Sequence, residues 1–176
     1  SGSLILRKGV DLLARAFLRL CKEGVNCELR VLGDGPLRED LKDRLAPLSG
    51  SVSFLGFKDW SELPTVYAEA DVLCVPSRYD GWALVVPEGL AAGLPVISTN
   101  RMGAALDLVR PGINGWIAQA GSAHSLHAAM SEAATMPESA LEQMQKSARV
   151  TASQHSLERG VERFIEAARK SIENWR

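Results

Sequence analysis

DVLCVPSRYDGWALVVPEGLAAGLPVISTN, residues 71–100, is the stretch that decides the fold. Its apolar run Val72–Val75 predicts a buried strand, and a cluster of turn residues ends that strand. Leu84–Ala92 predicts a helix capped by Gly93, and Pro95–Ser98 predicts a second buried strand. Two strands joined through a helix run parallel, with a right-handed crossover. Ligands of such sheets bind beyond the carboxyl ends of the strands, which here means the loop after the first strand.

Two carboxylates flank the start of this helix. Asp80 lies just before the helix and Glu88 within its first turns, with seven residues between them. Gly81 lets the main chain approach a ligand closely, and the free N–H groups of the first helical turn can hold an anion. Because a carboxylate repels a phosphate, we expect Asp80 and Glu88 to bind uncharged hydroxyl groups instead.

Outward from this unit, the chain repeats the alternation of strand and helix. The further predicted strands are Cys27–Leu32, Ser51–Leu55 and Gly115–Ala118. The further predicted helices are, approximately, Lys8–Lys22, Leu37–Leu45, Trp60–Ala70, Ala104–Val109, Ser122–Ala134, Glu138–Ser153 and Ser156–Glu173. This rhythm predicts an α/β fold with a doubly wound, Rossmann-like parallel sheet, in one domain over residues 1–176.

The composition excludes several classes of protein. A chain of 176 residues, 46% hydrophobic and 23% charged, is typical of one globular domain with a full core. A formal net charge of −1 gives no general attraction for nucleic acid. No apolar run approaches the roughly 20 residues of a membrane span, and the start has no signal-peptide pattern. Three cysteines among apolar neighbours, without metal-ligand spacing, predict reduced thiols in a cytoplasmic protein.

Basic residues gather in loops at the carboxyl ends of the predicted strands. They are Arg7, Lys8, Lys58, Arg78 and Arg101. A nearly neutral protein with cations along one rim of its sheet is suited to an anionic ligand. Ordinary solvated loop charges give the same pattern, so the position of these cations is compatible both with an anion site and with a plain solvated surface. Lys8 makes the better case, because a cation at a helix start is unfavourable unless something negative is bound.

The sequence PSRYDGWALVVPEGLAAGLPVIST resembles the signature of the family 4 retaining glycosyltransferases of the GT-B fold. That signature has two acids seven residues apart, then a small-residue helix and G-x-P-V-I. The first acid is usually Glu in the family and is Asp80 here. Near the amino terminus, Gly2-Ser3-Leu4 and Lys8-Gly9 match the family's G-S-L and K-G elements. The resemblance covers nearly the whole chain and implies the C-terminal, nucleotide-sugar-binding half of a GT-B enzyme.

This resemblance implies roles for individual residues. Lys8 would bind the donor diphosphate, Glu88 the nucleotide ribose and Asp80 the transferred sugar. The family's G-R-L variant has an arginine where this chain has Ser3, so Arg7 is the candidate for a second cation. Trp82, between the two acids, is either a platform for the sugar or a lid over the core.

Further implications concern the nucleotide base, metals and the rest of the protein. The main chain from Gly56 to Lys58 would contact the base. The sequence has no D-x-D motif, so neither a metal nor another cofactor is expected. Recognition of the acceptor, a glycan or lipid, would belong to a missing N-terminal domain. Most of a first strand would lie before Ser1. The helix at about 156–173 would cross back to the N-terminal domain. The isolated chain is expected to bind a UDP- or GDP-sugar weakly and to transfer nothing.

The sequence is also compatible with two other functions. A GT-B sugar-nucleotide epimerase would keep the fold and donor pocket, although the spacing of the acids disfavours it. A non-catalytic nucleotide-binding module is also compatible, because Asp80 is one methylene shorter than the usual glutamate. The sequence does not identify the sugar, base or acceptor, nor whether the parent protein docks peripherally at the inner face of a membrane.

Overall fold

The computed structural model describes residues 2–173 and 175. In this part of the chain the strands are β1 (Leu29–Leu32), β2 (Val52–Gly56), β3 (Leu73–Cys74), β4 (Val96–Thr99) and β5 (Gly115–Ala118). The helices are α1 (Val10–Lys22), α2 (Arg38–Leu45), α3 (Leu63–Ala68), α4 (Val85–Ala92), α5 (Gly103–Leu108), α6 (Ala123–Ala134), α7 (Glu138–Ser153) and α8 (Leu157–Glu173). The predicted alternation of strands and helices is therefore confirmed.

The strands are parallel and form two ladders. β1 pairs with β2, with Leu29 opposite Val52. β3, β4 and β5 form the other ladder in that order, and Val96 lies between Leu73 and Gly115. A cavity lined by residues of both β1 and β3 lies between the two ladders.

Helices cover both faces of the strands, as a doubly wound fold requires. Consecutive residues of β4 belong to different cores: Val96 packs in the cluster with α4 and α5, and Ile97 in the cluster with α1 and α6. Both side chains are buried, at 0% and 2% exposure. Because successive side chains of a strand point to opposite faces, this alternation places an apolar layer on each side of the sheet.

The amino-terminal helix begins later than predicted. Leu6–Lys8 forms a single 3₁₀ turn, and Gly9 then adopts a left-handed conformation with φ of 69° before α1 begins at Val10. A Cβ atom on Gly9 would lie 2.0 Å from the carbonyl oxygen of Pro76. The glycine therefore allows the start of α1 to lie directly against the loop after β3.

The third helix is also shorter than predicted, because its first residues form a turn instead. The Glu62 carboxylate accepts a hydrogen bond from the main-chain N–H of Asp59 at 2.9 Å. α3 consequently begins at Leu63, with a proline in its first turn, where the missing N–H costs little. None of the helices in residues 2–173 is long and apolar enough to cross a membrane.

Candidate functional site

The 3₁₀ turn before α1 and the loop after β3 bring Lys8 and Asp80 together. The Lys8 Nζ donates to Asp80 Oδ2 at 2.6 Å, although the two residues lie 72 positions apart in the chain. Their side chains are 21% and 14% exposed. Arg7 approaches the same oxygen more loosely, at 3.4 Å, from a side chain that is 51% exposed. Together these three side chains carry a net positive charge.

The main chain holds Asp80 in place on both sides. Its N–H donates to the carbonyl of Arg101 at 3.1 Å, and its own carbonyl accepts from the N–H of Gly103 at 3.2 Å. The other carboxylate oxygen, Oδ1, accepts the N–H of Trp82 at 3.3 Å. These bonds tie the loop after β3 to the loop after β4, so that Asp80 is fixed relative to two strands.

The charge state of Asp80 follows from these contacts. Partial burial raises the pKa of its carboxyl group. The hydrogen bond and charge of Lys8, together with the Trp82 N–H and the Arg7 charge, outweigh that effect and hold the pKa below its ordinary value. Asp80 is therefore ionised at neutral pH and accepts hydrogen bonds.

Arg78 joins the segment that carries Lys8 to the segment that carries Asp80. Its guanidinium donates to both carboxylate oxygens of Asp11 at 2.7 Å and to the carbonyl of Leu6 at 2.6 Å. Its main-chain N–H donates to the carbonyl of Arg7 at 2.8 Å. The bidentate bond from Arg78, opposed in part by burial, lowers the pKa of Asp11. We call these contacts between Arg78, Asp11 and the 6–7 main chain the clamp.

Weakening the clamp tests whether the bonds between Arg78 and Asp11 hold the two segments together. Arg78→Lys keeps the charge but loses the planar fork, so we expect the free energy of unfolding to fall by about 1–3 kcal/mol. Chemical denaturation measures this loss. A double-mutant cycle with Asp11→Asn should give strong coupling, because each change removes the same pair of bonds. Additive losses would contradict the clamp.

Glu88 lies in the first turn of α4 with its side chain exposed. The hydroxyl of Tyr67 donates to Glu88 Oε2 at 3.3 Å. Tyr67 comes from α3 and is only 6% exposed, so it can orient the carboxylate from within the core. Sequence reasoning missed Tyr67, because a tyrosine within an apolar stretch reads as a core residue.

The turn between Asp80 and α4 has an unusual backbone. Ala83 has φ of 68°, and among the described non-glycine residues it is the one with positive φ. This conformation costs a residue with a Cβ about 1–2 kcal/mol. Gly81, by contrast, has open space where a Cβ would lie. The side chain of Trp82 lies next to Gly103 and is 44% exposed. Their roles toward a ligand stay predictions.

The other predicted site residues lie on the same rim. Gly56 ends β2 with φ of 70°, and Lys58 pairs with Glu62 at 2.8 Å. Ser3 is exposed in the segment that leads to Lys8. Within residues 2–173 and 175, no three His, Cys, Asp or Glu side chains cluster as a metal site. That no metal is needed remains a prediction.

The G-x-G of residues 33–35 has a structural role. A Cβ on Gly33 would lie 1.8 Å from the carbonyl oxygen of Gly2, and a Cβ on Gly35 would lie 2.7 Å from the N of Leu4. These glycines let the loop after β1 touch the segment of residues 2–4. The motif therefore serves close packing of two main-chain segments.

Comparison with known proteins agrees with this architecture. Residues 1–151 match the model of the family described as Glycosyl transferases group 1. A putative colanic acid biosynthesis glycosyltransferase, WcaL of Salmonella typhimurium, is 27% identical over 174 residues, which cover 94% of this chain and 43% of the relative. The chain spans between 30% and 45% of the lengths of the first five curated relatives it matches.

Solved structures share the fold. HepE of Anabaena, crystallised with UDP, superimposes with a TM-score of 0.79 at 22% identity, over 97% of this chain and 48% of that one. The C-terminal domain of a glycosyl transferase group 1 protein, LpcC of Francisella tularensis, gives a TM-score of 0.78 at 19% identity, over 88% of this chain and 82% of that one. Because the family model matches residues 1–151, most of this chain, the chain belongs to the glycosyl transferases group 1, with the fold of that family's C-terminal domain.

Proposed function

We propose that this chain is the donor-binding domain of a family 4 retaining glycosyltransferase. The enzyme transfers a hexose from a UDP- or GDP-sugar to an acceptor hydroxyl. The observation that carries the proposal is the Lys8–Asp80 pair at the carboxyl ends of the strands, with Glu88 on the first turn of the next helix. UDP in the HepE crystal supports a nucleotide-diphosphate donor.

Lys8 stabilises the leaving diphosphate. Its ammonium has three N–H donors, and the bond to Asp80 uses one of them, so the others are free to face a phosphate. Asp80 is neutralised by its two cations and so repels the diphosphate less than a lone carboxylate would. The charge that develops on the leaving oxygen then meets a fixed cation and the N–H groups of Leu84 and Val85 at the start of α4, since the N–H of Val86 donates to the carbonyl of Ala83 and Pro87 has no N–H.

The two carboxylates hold the hydroxyl groups of the donor. Glu88 accepts the ribose hydroxyls, since a carboxylate has about four acceptor positions and the bond from Tyr67 occupies one. Asp80 accepts hydroxyls of the transferred sugar through Oδ1, which faces the turn at Trp82. The main chain from Gly56 to Lys58 contacts the base.

A second domain supplies the acceptor site. Large apolar side chains are exposed along the rim of the sheet, at Leu6, Phe57, Trp60, Tyr79, Trp82 and Leu84. No residue of α8 within Leu157–Glu173 is buried, although Phe164, Ile165 and their apolar neighbours share one side of the helix. Such surfaces mark interaction sites, and we assign them to an N-terminal domain that closes over the donor. The names of the colanic acid relatives support a role in polysaccharide synthesis. We propose that this synthesis takes place in the cytoplasm, at the inner face of the membrane.

An amide NMR titration with UDP, GDP and ADP, first without and then with magnesium, tests donor binding by this chain. We expect shifts confined to Lys8, residues 56–58 and residues 80–88, with one base preferred and no need for metal. Equal shifts from all three nucleotides, or shifts elsewhere, would contradict the assigned site.

Product analysis on the full-length protein separates transfer from epimerisation, and the isolated chain is expected to transfer nothing.

A further inference from the structure

Tyr67 connects the hydrophobic core to the Glu88 carboxylate. Its side chain is 6% exposed and packs in the core cluster that contains Leu73, Val86 and Leu90. Its hydroxyl donates to Glu88 Oε2 at 3.3 Å. Within residues 2–173 and 175, Tyr67 is the one side chain that hydrogen-bonds this carboxylate. An exposed acid is thus held from the interior by a buried group.

The two side chains differ in how freely they can move. An exposed glutamate has several side-chain torsions and loses much conformational entropy when a ligand fixes it. The tyrosine has fewer torsions, and close packing in the core restricts them. Its hydroxyl is therefore a fixed donor, which restricts Glu88 before any ligand binds. Preorganisation of this kind raises affinity, because less entropy remains to be lost on binding.

The geometry of the ribose makes the orientation of this carboxylate important. A carboxylate has about four acceptor positions, and the bond from Tyr67 occupies one of them at Oε2. The ribose of a nucleotide carries two neighbouring hydroxyl groups, and each of them can donate one hydrogen bond. Both bonds form together only when the two carboxylate oxygens face the pair of hydroxyls. A fixed carboxylate therefore distinguishes a ribose from a sugar that lacks these hydroxyls.

Helix α3 also connects Tyr67 to the segment assigned to the nucleotide base. Residues 56–58, the proposed base contact, lead into the turn before this helix. Lys58 pairs with Glu62 at 2.8 Å, and the N–H of Asp59 donates to the Glu62 carboxylate at 2.9 Å. Tyr67 lies in α3, which begins directly after Glu62. The base segment and the group that holds Glu88 are thus joined by one short helix.

We propose that Tyr67 is a positioning residue, which orients Glu88 toward the ribose hydroxyls and makes the site selective for ribonucleotides. The inference rests on the proposed function, in which Glu88 binds the ribose of the donor. Tyr67 acts through Glu88 and does not itself touch the donor. Because α3 joins Tyr67 to the base segment, the same helix sets the contacts to the base and to the ribose.

Tyr67→Phe tests this role, since it removes the hydroxyl and keeps the ring in the core. Calorimetry on the full-length protein compares UDP or GDP, whichever binds more tightly, with its 2′,3′-dideoxy form. The parent should bind the ribose form at least about tenfold more tightly. Tyr67→Phe should weaken binding of the ribose form about 3- to 10-fold and leave the dideoxy form within about twofold. An equal loss for both forms would overturn the inference, because a role in folding alone gives that result.

A double-mutant cycle with Glu88→Ala separates the role of Tyr67 from the ribose site itself. In the Glu88→Ala background, Tyr67→Phe should change binding by less than about twofold, because the group that Tyr67 orients is gone. Additive losses would overturn the positioning role. Equal binding of the ribose and dideoxy forms by the parent would overturn the proposed ribose site, and this inference with it.

A measurement without nucleotide tests the contact independently of the proposed function. NMR follows the side-chain carboxyl carbon of Glu88, whose resonance should shift in Tyr67→Phe when the hydrogen bond is lost. The same carbon of Glu142, an exposed acid on α7, should stay unchanged. An unchanged Glu88 resonance would overturn the contact. A shifted resonance with undiminished selectivity for the ribose form would overturn the positioning role alone.

Discussion

Replacing Lys8 by alanine is expected to lower the rate of sugar transfer by the full-length protein about 100- to 1,000-fold. Lys8 is the cation held closest to Asp80, at 2.6 Å, and in the proposed mechanism it faces the leaving diphosphate. Its charge acts mainly in the transition state, where negative charge develops on the leaving oxygen. The turnover number should therefore fall more than the apparent affinity for the donor.

Lys22→Ala is the matched control for this change. It removes the same charge from the last turn of α1, about 20 Å from its first residue, and should leave transfer within about twofold of the parent. Thermal unfolding of both variants separates a lost contact from a lost fold. A Lys8→Ala enzyme that keeps its rate would remove Lys8 from the mechanism and leave its bond to Asp80 as a structural contact.

Replacing Glu88 by alanine is expected to weaken nucleoside diphosphate binding by about 10- to 100-fold, measured by calorimetry on the full-length protein. A hydrogen bond to a charged group contributes about 1.5–3 kcal/mol, and the proposed ribose contact depends on such bonds. The structural contribution of Glu88 is smaller, since an exposed acid in the first turn of a helix adds about 0.3–1 kcal/mol. The melting temperature should accordingly fall by no more than about 2–4 °C.

Two variants make the Glu88 result specific. Glu88→Gln keeps the shape and one acceptor oxygen, so its binding should fall between that of the parent and that of alanine. Glu142→Ala removes an exposed carboxylate from α7 and should bind as the parent does. Unfolding of Glu88→Ala at a much lower temperature, with binding retained once it is folded, would show that Glu88 is only structural.

Local patterns in the sequence predicted the elements of the fold and the position of the acids. The helix Leu84–Ala92 was placed within one residue of α4, because Gly93 ends it in the left-handed conformation that a glycine adopts readily. The predicted ends of helices were wrong where a turn depended on contacts with residues distant in the sequence. The first helix begins at Val10 and not at Lys8, because Gly9 adopts a left-handed conformation where it lies against Pro76, and no local signal indicates that neighbour.

The conformation of the turn before α4 could not be predicted for a related reason. Alanine seldom adopts positive φ, so nothing in the sequence indicates the left-handed backbone of Ala83. The bonds from the Asp80 segment to Arg101 and Gly103 hold this turn from the neighbouring loop. Its conformation is thus fixed by the pairing of two loops and not by its own residues.

The sequence by itself determined the α/β class, the parallel strands and the presence of two acids beside a helix start, because periodicity and turn chemistry are local properties. Tertiary structure alone decided which side chains meet. Lys8 reaches Asp80 across 72 positions, Arg78 reaches Asp11 across 67, and Tyr67 reaches Glu88 across 21. These contacts depend on which strands are neighbours in space, and strand order is set by the packing of the whole sheet between its two helical layers.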